Sequence, residues 1–257
     1  MKYKFRILID APMEGALNMG IDRAILQTVS ERQSIPTLRL YSWAVPAVTV
    51  GYFQKISETV NIAFCTENNI PVIRRITGGG TVLHDSEITY SFITPLKNSP
   101  IPFDLESSFK AIIMPIIKAL KAIGIDASFK PVNDILVQGK KISGSAQTRQ
   151  QGVLLQHGTI LTDIDENLFA RALIDKKKSI EKDFAEPVKS ITSVKEILGN
   201  RFNQNSVEIL KESITNNYTE SLNISFTQGF LSAQEKDLAE RFRREQFENK
   251  SWNMKKV

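Results

Sequence analysis

The sequence predicts an α+β fold of mixed, mostly antiparallel sheets flanked by helices. Short apolar or alternating runs of strand length recur as far as Leu161. The best amphipathic segment, Leu105 to Ile123, carries apolar residues at Phe109, Ile112, Ile113, Ile116, Ile117 and Leu120, the spacing of one helix face. From Asp165 onward the pattern turns helical. Short strands with a few helices in one half and helices in the other are the mark of an α+β chain.

Taken in order, Phe5 to Ile9 reads as a strand and Ala11 to Gly15 as a turn. Leu17, Met19, Ile21, Ala24, Ile25 and Val29 then recur at helical spacing, which predicts a helix over Ala16 to Val29. Pro36 to Trp43 and Val45 to Gly51 are strands around the turn Trp43-Ala44-Val45-Pro46. Asn61 to Asn69 is a short helix carrying Cys65, and Ile70 to Ile73 is an apolar strand. Thr81 to Leu83 and Glu87 to Thr94 read as strands, the second alternating as a half-buried one does. Gly124 stops the long helix, which Pro115 is expected to kink. Ile135 to Val137 and Lys141 to Ser143 form a hairpin through Gln138-Gly139, and Val153 to Leu161 is another strand. Helices are expected over Glu166 to Ile174, Ser193 to Leu198, Ser206 to Tyr218 and Ala233 to Phe247, with a charged loop starting at Asp175. Trp252 is expected to hold the polar tail against the body.

With 257 residues the chain suffices for one large domain over 1–257, whose C-terminal part from about 165 is helical. The net charge of +5 permits an acidic partner without arguing for nucleic acid. One cysteine excludes an internal disulfide and a cysteine-based zinc site, and two histidines, His84 and His157, argue against a histidine-rich metal site. No apolar run approaches the roughly 20 residues of a membrane span, and Met1 to Arg6 has no signal-peptide core. The expected location is the cytoplasm, with no membrane partner.

The densest stretch is Arg74-Arg75-Ile-Thr-Gly78-Gly79-Gly80-Thr81-Val82-Leu83-His84-Asp85. Adjacent glycines cost backbone entropy, and one use for them is to let the backbone touch a ligand with no Cβ in the way. Two guanidiniums beside that loop would supply countercharge for a phosphate or carboxylate. The competing reading is a hairpin turn with solvated arginines. The stretch is neither G-x-x-x-x-G-K-[ST] nor G-x-G-x-x-G opening a helix, so a nucleotide here would lie across a sheet. A second dense region runs from Asn133-Asp134 through Lys140-Lys141-Ile-Ser143-Gly144-Ser145-Ala146-Gln147-Thr-Arg149 to Gln156-His157-Gly158.

The ordered set Arg74-Arg75-x-x-Gly78-Gly79-Gly80-x-Val82-x-His84-Asp85, Asn133-Asp134-Ile, Lys141-Ile-Ser143-Gly144-Ser145-Ala146 and His157-Gly158-Thr159 resembles the catalytic domain of lipoate-protein ligases and octanoyltransferases, a family that also includes biotin-protein ligases. Asn18-Met19 and Trp252-Asn253 fit the same family. The resemblance implies the α+β fold of that domain and one of two chemistries. Ligases activate lipoate with ATP to lipoyl-AMP and pass it to a lysine of an acceptor domain. Octanoyltransferases use a cysteine thioester instead, and in the branches that resemble this chain the cysteine lies upstream of the Lys-x-x-Gly-Ser-Ala motif. Here that segment is Phe129-Lys-Pro-Val-Asn133-Asp134-Ile, without a cysteine.

On that ground the expected activity is an ATP-dependent lipoate-protein ligase, with octanoyl transfer from acyl carrier protein and a non-catalytic lipoyl-domain binder as alternatives. Biotin ligation is remote, because the Gly-Arg-Gly-Arg-x-Gly loop is absent. The Ser145-Ala-Gln147-Thr-Arg149 to Gln156-His157-Gly158 stretch, however, is closer to the octanoyltransferases. Lys141 is the expected catalytic residue. Arg75, Gly78, Gly79, Gly80, Thr81, Val82, Leu83, His84, Asn133, Ser143, Ala146 and His157 are expected to bind ATP and the lipoyl-adenylate, and Asp134 to hold Mg²⁺. The resemblance implies ATP and Mg²⁺ as cofactors and lipoate as substrate. The implied acceptor is a lipoyl domain, such as a 2-oxoacid dehydrogenase E2 or a glycine cleavage H protein. Only about a hundred residues follow the motifs, too few for a full accessory domain, so a separate accessory chain is a possible partner.

Overall fold

An eight-stranded sheet forms the frame, and its strands are β1 (Tyr3–Ile9), β2 (Thr37–Tyr41), β6 (Glu87–Pro95), β7 (Ala127–Lys130), β8 (Asp134–Val137), β9 (Lys140–Gln150), β10 (Val153–Leu161) and β11 (Ile224–Gln228). They lie side by side as β11-β1-β2-β6-β10-β9-β8-β7. Only β11–β1 and β1–β2 are parallel; the other pairs are antiparallel. A second, three-stranded sheet is built from β3 (Ala47–Val50), β4 (Val72–Arg74) and β5 (Val82–His84), with β3 in the middle. The fold is therefore the mixed, mostly antiparallel α+β arrangement that the sequence predicts. The computed structural model describes residues 2–174, 190–203 and 205–255; the charged loop expected from Asp175 lies outside them.

Strand alternation sorts the residues of β6 between two cores. Ile88, Tyr90 and Phe92 enter the larger core, which is capped by α3 (Leu105–Ala122), α5 (Val194–Leu198) and α6 (Asn205–Ser221). Ile93 belongs to the opposite core, against α1 (Gly15–Ser30) and α7 (Ala233–Phe242). On that same face Thr89 and Ser91 are buried hydrogen-bonding groups instead. A third cluster lies between the small sheet, α2 (Ile62–Glu67) and α4 (Glu166–Ala172), and contains Val48, Phe64 and Cys65.

The long predicted helix forms because its stripe finds a core. Ile112, Ile113, Ile116, Ile117 and Leu120 are buried on the sheet, each worth about 1.5–3 kcal/mol of transfer free energy. Asp104 caps it by accepting from the Ser107 amide at 2.8 Å, and Gly124 ends it at φ +84°. The helix continues unbroken through Pro115. Helix α7 starts with a reciprocal cap between Ser232 and Glu235, and the predicted helix to Phe247 changes to a π turn over Arg243–Phe247.

The edges of the large sheet were not foreseen. Neither β7 nor β11 has a clear alternating signal, and β11 exists through parallel pairing with β1, Phe5 opposite Phe226. Strand β9 is much longer than the predicted Lys141 to Ser143, because it pairs with β10 along most of its length, from Val153–Gln150 to Ile160–Ser143.

Candidate active site

A half-open cleft of about 540 Å³, its mouth included, lies between the small sheet and the α1 side of the large one. Of the residues expected to bind ligand, Arg75, Gly79, Gly80, Thr81, Val82, His84, Asn133, Ala146 and His157 line it, together with Lys141. Gly78, Leu83 and Ser143 do not. The Gly78 carbonyl accepts from Arg75, Leu83 is buried in the third cluster, and the Ser143 hydroxyl is buried without a hydrogen-bond partner. Trp43, Thr49, Tyr41, Met19 and Gly144 also line the cleft. Nothing in their local spacing marks Trp43 or Thr49 as site residues; pairing of β3 with β5 brings Thr49 there, and Trp43 is held by its bridge to Met13 and its stacking on His84.

Gly79 sits at φ +88°, where a Cβ is strained, and its carbonyl packs so closely on Gly51 that a Cβ on Gly51 would meet it at 2.0 Å. The two arginines before the loop part ways. Arg74 is fully buried and turned away from the cleft. It donates to the Gly51, Tyr52 and Gln54 carbonyls and to the carbonyls of Asn253 and Lys255. Trp252 completes this junction by donating to the Arg74 carbonyl at 2.9 Å, so Arg74 anchors the C-terminus. The expectation that both guanidiniums serve as countercharge is thus corrected for Arg74.

Arg75 does face the loop, but every nitrogen of its guanidinium is engaged. Nη2 donates to the Gly78 and Gly80 carbonyls at 2.9 and 2.8 Å, Nη1 to Thr49 Oγ1 at 2.7 Å, and Nε to Thr77 Oγ1 at 3.3 Å. It shapes the glycine loop from inside. Burial without a carboxylate beside it lowers its pKa to about 10.

Each histidine is clamped between a hydroxyl and a carboxylate. His84 Nε2 is 2.7 Å from Thr49 Oγ1 and its Nδ1 faces Glu87, while Trp43 stacks on the ring at 3.8 Å. With Glu87 accepting, Nδ1 carries the hydrogen and Nε2 accepts from Thr49. His157 Nε2 is 2.7 Å from Thr77 Oγ1, and Nδ1 is 3.1 Å from Asp22 Oδ2. Asp22 also receives Ser91, Tyr41 and Arg39. Burial lowers the His157 pKa, against the pull of Asp22. Burial would raise Asp22, but the His157 hydrogen bond and Arg39 hold it below the ordinary carboxylate value. Both rings are fixed walls rather than free bases.

Lys141 brings a second cation to the cleft. Its Nζ lies 2.7 Å from Asp134 Oδ1, though out of line for a hydrogen bond, since that oxygen has no aligned donor. The amine lies down on Gly144, where a Cβ would meet Cε and Nζ at 2.6 Å. Asn133 braces the same corner: its Nδ2 donates to the Ser145 carbonyl, and its own carbonyl accepts from the Ser145 amide at 2.9 Å. The cleft can therefore hold an apolar chain with a polarised carbonyl presented to a cation.

Residues 14–218 match the model of the lipoyl protein ligase A/B catalytic domain. The chain belongs to that family. It is 32% identical over 273 residues to "Octanoyltransferase LipM" of Clostridioides difficile strain 630, covering 98% of this chain and 99% of the relative. The protein of the same name in Geobacillus kaustophilus strain HTA426 is 31% identical over 268 residues, covering 94% of each. Among solved structures, a bi-partite lipoate protein ligase from Thermoplasma acidophilum superposes with a TM-score of 0.84 at 25% identity, covering 99% of this chain and 98% of that one.

These relatives overturn the expected ATP-dependent ligase. Curated proteins similar over nearly the whole chain carry the octanoyltransferase name, which is the alternative and not the main expectation. The site's chemistry agrees with the correction. Asp134, expected to hold Mg²⁺, is already faced by the Lys141 ammonium, and the described residues contain no group of three or more His, Cys, Asp or Glu side chains fit for a metal. The donor set does not fit a metal–nucleotide complex, nor does Arg75 have a free fork for phosphate. Among the described residues no helix is long and apolar enough to cross a membrane.

Proposed function

We propose that this chain is an octanoyltransferase: it takes an octanoyl group from its thioester on an acyl carrier protein and delivers it to a lysine of a lipoyl domain. The observation that carries this reading is the Lys141 amine, held by Asp134 and Gly144 at an apolar cleft that a glycine loop and Trp43 close. The acyl tail lies along Met19 and Trp43, with its carbonyl toward Lys141. Negative charge develops on that oxygen when the thioester is attacked, and a fixed cation beside it lowers the barrier. Gly79 and Gly80 let the backbone approach the chain, and Asn133 keeps β9 in place beneath Lys141. Clamped His84 and His157 shape the cleft.

The names of the relatives support the reaction class, and the Thermoplasma structure, described with its E2 lipoyl domain, supports an acceptor of that kind. The decisive assay incubates the purified chain with octanoyl-acyl carrier protein and an apo lipoyl domain, ATP left out. Intact-mass spectrometry then reads the acceptor. Octanoyl amide on the acceptor lysine is expected; an acceptor that stays unmodified at high enzyme concentration refutes the reading.

A further inference from the structure

Any acyl transferase either parks the acyl group on one of its own side chains or brings donor and acceptor together. The side chains of this cleft leave little room for the first route. The chain has a single cysteine, Cys65, and it does not line the cleft. It is buried among Val48, Phe64 and Ala172 in the third cluster, with its sulfur 4.0 Å from the Ala172 carbonyl. Burial also pushes its thiol pKa up, away from the thiolate a nucleophile needs.

The hydroxyls of the cleft other than Thr159 are committed. Thr49 is fully buried between Arg75 and His84, Ser145 pairs with the Tyr90 hydroxyl, Thr81 donates to Gln54, Thr89 donates to Glu87, and Tyr41 donates to Asp22. The corner nearest the Lys141 motif carries Asn133, a carboxamide whose nitrogen is spent on the Ser145 carbonyl and which cannot form a thioester. An activated nucleophile needs a base within hydrogen-bond reach and a free face. The pairs that do join a hydroxyl to a base, Thr49–His84 and Thr89–Glu87, are buried, so among the described residues of the cleft no thiol and no paired hydroxyl offers the free face that attack requires.

We infer that this enzyme transfers the acyl group in a single displacement, with donor thioester and acceptor lysine bound at the same time and no acyl group carried on the protein. The inference rests on the octanoyltransferase reading above. The acceptor's neutral ε-amine uses its lone pair to form the C–N bond, and the carbonyl π pair moves to oxygen beside Lys141. Collapse breaks the C–S bond, the sulfur leaves with the bonding pair, and the proton lost from nitrogen ends on that sulfur. Thioester and amine become amide and thiol with nothing else consumed. Holding the two reactants in line substitutes for a covalent relay, since effective molarities on the order of 10⁵–10⁸ M are reached by orientation alone.

The test uses the full chain, octanoyl-acyl carrier protein and an apo lipoyl domain. Initial rates with both substrates varied should give intersecting double-reciprocal lines. Enzyme incubated with donor alone should keep its unmodified mass after rapid acid quench. Cys65→Ser should keep its rate within about twofold, as a buried inert thiol would allow, with Cys65→Ala guarding against a folding defect of the first variant. Parallel lines, an octanoyl adduct on the enzyme that can be chased onto the acceptor, or loss of activity in both folded Cys65 variants would overturn the single displacement while leaving octanoyl transfer intact. No acceptor labelling by the wild-type chain would instead remove the transferase reading, and this inference with it.

Discussion

The ammonium of Lys141 and the carboxylate of Asp134 stand 2.7 Å apart across the β8–β9 hairpin, with the amine resting on the bare backbone of Gly144. The lysine side chain is 42% exposed, so the pair contributes little to stability and much to where a positive charge waits.

Removing that charge should spare the fold and cost the reaction. Lys141→Met is expected to lower kcat/KM for octanoyl transfer by roughly 10²–10³-fold, about 3–4 kcal/mol of transition-state stabilisation. Its melting temperature should match wild type. Unchanged kinetics in this variant would detach Lys141 from the chemistry.

Gly144→Ala tests the placement of the amine without removing it. The new methyl would occupy the space of Cε and Nζ, so the lysine must swing away. Activity should fall by roughly tenfold through misplacement of the charge. Urea denaturation should show a change within about 1 kcal/mol, since the clash is with the far end of a flexible side chain. A fully active variant would mean that the amine works from another position.

The C-terminus should stabilise the body through Arg74. Asn253 accepts from the Arg74 amide at 2.9 Å and donates to the Phe247 carbonyl at 2.7 Å. Asn253→Ala leaves a buried amide and a buried carbonyl without partners, at a cost of about 2 kcal/mol. Chemical denaturation of both proteins measures it; an unchanged midpoint would show that the tail is dispensable.

Acid should unlock the junction between β1 and α7. Glu235 receives both Arg6 Nη atoms, at 2.6 and 2.9 Å, and hydroxyls from Ser34 and Thr28. Burial alone would raise its pKa, but Arg6 and the Ser232 amide bring it down to about 2 from 4.5. A depressed folded-state pKa means stability that is whole above pH 4.5 and drains away as pH falls toward 2. Glu235→Gln is expected to cost roughly 2 kcal/mol near neutrality, discounted because Arg6 stays partly open to water. The gap between variant and wild type should narrow around pH 3. An equal gap at both pH values would exclude the linkage.

Local patterns carried a good part of this architecture. The stripe of α3, the alternation of β6 and β10, and the glycine loop all announce themselves within a dozen residues, because helix and strand periods are properties of neighbouring side chains. The sequence also places Lys141, Gly79, Gly80, His84 and His157 in one family of sites. The choice between its two chemistries was misjudged: the missing cysteine suggested ATP-dependent ligation, whereas the relatives over nearly the full length are octanoyltransferases.

By itself, then, the sequence determined the fold class, the main helices and the motifs that meet in the cleft. Tertiary structure alone decided that Arg74 ties down the C-terminus while Arg75 braces the glycine loop, although the two are adjacent in the chain. It alone brought Trp43 onto His84, and gave β11 its place beside β1. The physical reason is one of range. Periodicity is written in adjacent residues, but register, burial and the partner of a guanidinium depend on segments as far apart as Arg6 and Glu235, 229 residues away, and those contacts exist only once the chain has closed on itself.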